Sequence, residues 1–442
     1  MPAFVGYTER ADVDGREAVF VPVRVRSLDE YHLIFGGPPR AQFGLGPGSP
    51  DDFDVRLTLE KASLGDDGYR KLVPAGNVGL LYNSLRLFYA NGGDTCFVVS
   101  VGPYAESVDA SVLEKGVLAL EDQVGPTMIV VPDLSLLPAA KDPSSIEGFK
   151  QVAAAMLGQC GRKQDRVALL DVVQARHLRK TSTGQDVADA VQRFREDVDG
   201  DARSYGIAYF PYLETSIVRA EDLDDSWFVA AMLKDVAASD RKQLYAGAAR
   251  TLNRLPPSGA MAGVIAQTDR TRGVWTAPAN ISINAVSGLT VHIDDDRQAD
   301  LNKPLDGKAI NVIREFTDRG AVVWGARTLD GNSHDFRYVN VRRTVIYIEQ
   351  SVKAALAPFA GAANDVTTWV SVRAAISTFL HGLWTQGGLM GTTMRDACDV
   401  QCGLGTTMTA RDVQDGNLIV LVLAAIVRPA EFIELRFTQK MG

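Results

Sequence analysis

KAINVIREFTDRGAVVWGARTLDGNSHDFRYVNVRRTVIYIEQSVKAAL, residues Lys308–Leu356, reads as helix, buried strand, tight loop and second helix. In the first part Ala309, Ile310, Val312, Ile313 and Phe316 fall on one helical side, with Arg314, Glu315, Asp318 and Arg319 opposite. Gly320 stands where a left-handed cap belongs. Ala321–Trp324 is short and apolar, the pattern of a strand covered on both faces. Asp330-Gly331 signals a turn. Beyond it Val341, Val345, Ile348, Val352 and Leu356 form a helical stripe that Pro358 ends. The stretch describes a layered core without chemistry of its own.

Upstream the same alternation recurs. Ala3–Tyr7 and Pro22–Arg26 read as strands, and Ser27 with Glu30 reads as a capping box for a helix over Leu28–Phe35. From Leu81 to Tyr212, apolar strands at 96–101, 127–131, 167–173 and 206–212 alternate with helices at 81–90, 111–123, 146–159 and 187–198. Asp222–Ala238 and Arg241–Arg250 also read as helical. Strands that are apolar throughout, alternating with helices, predict an α/β fold with helices on both sheet faces. Residues 38–78 are rich in Gly, Pro and Asp, with an alternation at Phe53–Leu59 that suggests a surface β insertion. Leu255-Pro256-Pro257-Ser258-Gly259 is the clearest break. The expected division is therefore an N-terminal strand segment (1–20), an α/β domain (21–258) and a C-terminal core (259–442).

The chain is long enough, at 442 residues, to bury two or three cores. A net charge of -8 without a basic block argues against nucleic-acid binding. Four cysteines, Cys96, Cys160, Cys398 and Cys402, do not make a disulfide framework and fit a reducing compartment. MPAFVGYTER lacks the pattern of a secretory signal. The longest apolar run, Leu418–Val427, is too short to span a bilayer and reads as a buried strand. These features predict a cytoplasmic protein without membrane insertion.

Catalytic signatures fail one by one. A phosphate loop ending at Gly307-Lys308 lacks its earlier glycine, where Asn302 stands, and the Ser or Thr that Ala309 replaces. No G-x-G-x-x-G follows a strand. Cys398 and Cys402 have His381 nearby but nothing to complete a metal set, and the five histidines are scattered. The expectation is no enzyme, no cofactor and no metal. The C-terminus is more informative: Ile433, Leu435 and Phe437 alternate with Glu434, Arg436 and Thr438, as in a half-covered strand with an edge to pair.

DGKAIN, WGARTLDGNSHDFRYVNVRR and IYIEQSVKAAL resemble the C-terminal core of contractile tail sheath proteins. Leu255–Asn280, LYNSLRLFYANGG at 81–93 and RPAEFIELRFTQ at 428–439 extend the resemblance across most of the chain. The resemblance implies a structural subunit that polymerises helically around an inner tube and contracts to drive it through a target envelope. It implies that the 1–20 strand joins the C-terminal core as an inner layer with 21–258 outside it, in stacked, hexameric rings, with an inner tube protein, baseplate and cap proteins as partners. It also implies assembly in the cytoplasm into a phage tail or phage-tail-like particle. Phe432, Ile433, Glu434, Leu435, Arg436 and Phe437 would form an intersubunit arm, and Thr409, Arg411, Asp412 and Asp415 a tube-facing patch. Sheath proteins commonly carry an extended arm ahead of the segment resembling Pro2–Thr8, and the expectation here is that it is absent. A minor paralogue near the baseplate or cap is one alternative. An α/β enzyme binding a small molecule is the other.

Overall fold

The strand Pro2–Thr8 is buried at all seven residues, which demands cover on both faces and partners on both edges. Its edges pair in parallel with Cys96–Pro103 and Met128–Val130, in register Val5↔Val99 and Ala3↔Ile129. The structure, a computed structural model, describes residues 1–50, 52–57, 67–76, 79–137 and 147–429. The chain packs as two units, Met1–Thr268 with Pro278–Arg337, and Asp269–Ala277 with Tyr338–Gly442.

The first unit is built on a nine-stranded sheet. Six strands run parallel, in the order Ile310–Phe316, Gly206–Phe210, Val167–Asp171, Met128–Val130, Pro2–Thr8 and Cys96–Pro103. Antiparallel Gly320–Val323 and Ile281–Ser282 extend one side, and Val23–Val25 closes the other. Helices lie on both faces. Phe4 meets Phe88 of the helix Leu81–Ala90, with ring centroids 5.4 Å apart. Neighbouring Val5 lies against Gly116 of the helix Ala110–Leu118. Successive strand side chains point to opposite faces, so these helices cover opposite sides. The expected α/β fold is what the chain adopts.

Several expectations need correction. The residues read as a first helix form the strand Ile310–Phe316, hairpinned onto Gly320–Val323. Ile310, Val312 and Ile313 are buried because the strand lies inside the sheet, and a run covered on both faces mimics a helical apolar stripe. Gly320 does adopt a positive φ, 65°, but at a hairpin turn. Pro2–Thr8, expected to join residues 259–442, shares its sheet with Ile310–Phe316 and Gly320–Val323 of that range, and these strands pack in the first unit. The break at 255–259 is not a packing boundary, since the helix Ser258–Arg272 is buried from Ser258 to Ile265. Residues 222–238 form short helical turns, the longest Ala230–Leu233; Asp224 accepts from the Ser226 amide at 2.9 Å, a local bond that competes with helix. The insertion shares a separate core with residues 223–249. Gln42–Pro47 and Val55–Arg56 pair with Tyr69–Ala75, burying Phe43, Val55 and Leu72 among Phe228, Leu244 and Ala248. Part of the alternation expected at Phe53–Leu59 falls outside the described residues.

The helix Ser258–Arg272 crosses Leu81–Ala90 with backbones in contact. A Cβ on Gly263 would sit 2.5 Å from the Phe88 carbonyl oxygen, and one on Gly259 2.8 Å from that of Ser84. Intrinsic propensity alone would make Gly263→Ala stabilising by about 1 kcal/mol. Here the methyl meets backbone, and the variant is expected to lose about 1–3 kcal/mol in a denaturant titration. An unchanged or raised midpoint would mean the helices can separate freely.

Two buried carboxylates tie these elements together. Asp133 accepts from the backbone amides of Tyr7, Leu80 and Leu81 at 2.8, 2.5 and 3.2 Å, and burial raises it to about 6. Asp171 accepts from the Ser258 amide at 2.9 Å and its hydroxyl at 2.6 Å; burial pushes it up to about 7 against those bonds. An unfolded aspartate titrates near ~4, so the folded protein holds the extra proton between these values. Stability from this source is full below about pH 4 and is lost as pH rises to about 7. Asp171→Asn is expected to flatten the slope of Tm against pH across that window, and a slope identical to the parent's would exclude the carboxyl.

Candidate assembly surface

The second unit gathers around the helix Val339–Leu356. Ile348 and Val352 of the expected stripe pack with Val372, Ile376 and Leu380 of the helix Val366–Thr385. Arg343 of this helix reaches Asp269 in the last turns of the helix Ser258–Arg272, its two terminal nitrogens 2.7 and 2.6 Å from the two Asp269 oxygens. Such a fork-to-fork pair fixes orientation as well as charge. Asn340 Nδ2 donates to the carbonyls of Trp275 and Val427 at 2.9 and 3.1 Å, adding the C-terminal segment to the same anchor. Arg327 donates to the Gly331 carbonyl and Arg337 to that of Ser333.

Cys398–Gln401 and Leu421–Ala424 form a two-stranded antiparallel sheet, in register Val400↔Val422 and Gln401↔Leu421. Val400 is buried, and Val422 and Ala424 turn towards Ile348 and Val352 across a groove of about 380 Å³. Leu421 and Leu423 point the other way and are 45% and 51% exposed. The run Leu418–Val427, read as a doubly buried strand, is thus covered on one face only. Among the described residues each of the two strands is paired along one edge, apart from an isolated bridge between Leu389 and Ile426. Open edges beside an outward leucine face are a template for further strands. Sequence reading missed this surface, because an apolar run without polar residues at either parity cannot say which face is bare.

Thr409, Arg411, Asp412 and Asp415 come together on one helical turn, Ala410–Gln414 and its caps. Thr409 Oγ1 accepts from the Asp412 amide at 3.2 Å, and Asp412 accepts from the Thr409 amide at 2.9 Å. The Thr409 hydroxyl holds the Asp412 carboxyl below its ordinary range. Arg411 and Asp415 pair at 3.6 Å on the exposed side. Phe432, Ile433, Glu434, Leu435, Arg436 and Phe437 lie outside the described residues. Cys398 and Cys402 are buried thiols raised by desolvation, and among the described residues no cluster of three His, Cys, Asp or Glu side chains is placed to hold a metal.

The family model of the phage tail sheath C-terminal domain matches residues 332–440. A tail sheath protein of Vibrio phage KVP40 is 26% identical over 186 residues, 41% of this chain and 26% of its own length. The chain thus spans about a quarter of that relative. Coverage is fuller among solved structures. A chain of the anti-feeding prophage baseplate is 28% identical with a TM-score of 0.67, covering 100% of this chain and 93% of its own. A chain of an extracellular contractile injection system sheath complex in the contracted state is 26% identical with a TM-score of 0.65, covering 99% and 91%. Residues 332–440 thus match the phage tail sheath C-terminal domain, and over its whole length the chain is similar to chains of contractile sheath assemblies.

Leu421→Glu combined with Leu423→Glu is expected to change folding stability by no more than about 0.5 kcal/mol, because both side chains stand in solvent. The same pair should abolish self-association in sedimentation velocity. Unfolding would make the leucines core, and undiminished association would make the face a bystander.

Proposed function

We propose that this chain is a structural subunit of a contractile sheath, polymerising helically around an inner tube and contracting to drive it through an envelope. The observation that carries the reading is the bare, open-edged sheet of Cys398–Gln401 and Leu421–Ala424, inside the segment that matches the sheath C-terminal domain. A subunit that repeats into an open helix needs heterologous contacts, and an unpaired strand edge supplies one by strand addition. The alternating segment Phe432–Phe437 is assigned to that contact on a neighbouring copy. The patch at Thr409, Arg411, Asp412 and Asp415 is assigned to the tube. In this reading rings are hexameric, baseplate and cap proteins close the ends, and the particle assembles in the cytoplasm. Energy is stored in alternative subunit packings, and the chain catalyses nothing. A baseplate-proximal paralogue is the second reading, favoured by the likeness to a chain of a baseplate assembly.

Negative-stain microscopy of the chain with its tube protein tests this. Striated hollow cylinders are expected, and deleting Phe432–Gly442 should leave a folded, soluble monomer that forms none. Loss of folding on deletion would return that strand to its own domain. Dispersed monomers from the intact chain would overturn the sheath reading.

A further inference from the structure

The first unit contains a cavity of about 380 Å³ whose walls carry unbalanced charge. Four cationic or titratable side chains line it: Arg176 and His177 at the end of the helical turn Val173–His177, Arg179 just beyond, and Arg254 from the strand Arg254–Leu255. One carboxylate, Asp54, lines it with them and stands 3.6 Å from Arg179. The nearby outer charges are already matched, Lys71 with Asp52 and Lys180 with Glu214. Burial, and then the neighbouring arginines, hold His177 below its ordinary value, so it is neutral at pH 7. The lining therefore carries a net charge of plus two.

Its hydrogen-bonding capacity is unspent as well. Arg179 Nη1 and Arg254 Nε are buried without a hydrogen-bond partner among the described residues. Asn83, also lining the cavity, is 6% exposed and its Oδ1 is likewise unpartnered. Turning that amide over presents two donors in place of the acceptor. Arg176 spends one nitrogen on the Ser135 carbonyl at 3.1 Å. Unpaired buried donors and like charges brought together both cost stability, and an anion with several acceptor oxygens removes both costs. Among the charged groups, Phe43, Leu72, Leu80 and Leu136 give the cavity an apolar wall as well.

We propose that this cavity binds a small phosphate monoester, its dianionic phosphate held by Arg176, Arg179, Arg254 and Asn83 and its organic group laid against the apolar wall. Forked guanidinium donors match phosphate oxygens, and a dianion neutralises the lining without excess. The site is independent of the sheet edges assigned to assembly.

Calorimetric titration of the full-length chain with phenyl phosphate, inorganic phosphate and benzoate tests the assignment. One phenyl phosphate per chain is expected, bound at least about tenfold more tightly than benzoate, a difference of about 1.4 kcal/mol. Arg179→Gln, with an unchanged circular dichroism spectrum, should weaken it about tenfold or more. Asp54→Asn keeps an oxygen for the Leu72 amide, which Asp54 accepts at 2.9 Å, yet removes the opposing charge; it should tighten binding severalfold, a gain that misfolding cannot produce. No heat from the parent chain, equal affinity for benzoate, or indifference to both substitutions would each overturn the proposal.

Discussion

Everything in the first unit depends on keeping Pro2–Thr8 dry. A parallel strand buried on both faces exposes no polar side, so its hydrogen bonds must come from neighbours and its faces must be roofed by helices. The sheet meets the first need with Cys96–Pro103 and Met128–Val130, and the helices Leu81–Ala90 and Ala110–Leu118 meet the second. Asp133 binds the arrangement at one point, gathering amides from the strand and from the start of a helix. A single carboxylate reaching three backbone donors leaves little freedom in how strand and helix meet.

The second unit solves a different problem. Its larger core lies between the helices Val339–Leu356 and Val366–Thr385 and one face of a two-stranded sheet, with a smaller cluster around Trp369, Cys402 and Met408. The other face of that sheet carries leucines in solvent. A monomer would ordinarily avoid such a surface, and its presence is the physical sign that the isolated chain is not the finished object. The likeness to sheath chains then gives that incompleteness a meaning that the fold alone could not.

Much of the fold was legible because period and punctuation agreed. The helix Leu81–Ala90 was read with its observed ends, and the stripe Val341 to Leu356 marked the helix around which the second unit packs. The failures share a cause. Ile310–Phe316 sets apolar residues at spacings that a helix would also show, Leu421–Ala424 is apolar throughout, and neither pattern records whether the segment is covered on one face, two, or wound into a helix. Residues 222–238 were lost to local Asp and Ser bonds that helical propensity ignores. The site was less legible still. The exposure of Leu423 depends on what does not pack against it, and the cavity draws Asp54, Asn83, Arg176 and Arg254 from four distant segments. No spacing in the sequence brings those together.

The contact of Gly259 and Gly263 with the backbone of Leu81–Ala90 has a mechanical meaning. Ordinary helix pairs are separated by a layer of side chains that can rotate and yield. Here carbonyl and Cα meet with no such cushion, so the two helices should displace as one stiff beam. In a machine proposed to do work through subunit motion, that rigidity would deliver a push at one end of the beam to the other without dissipating it in side-chain rearrangement.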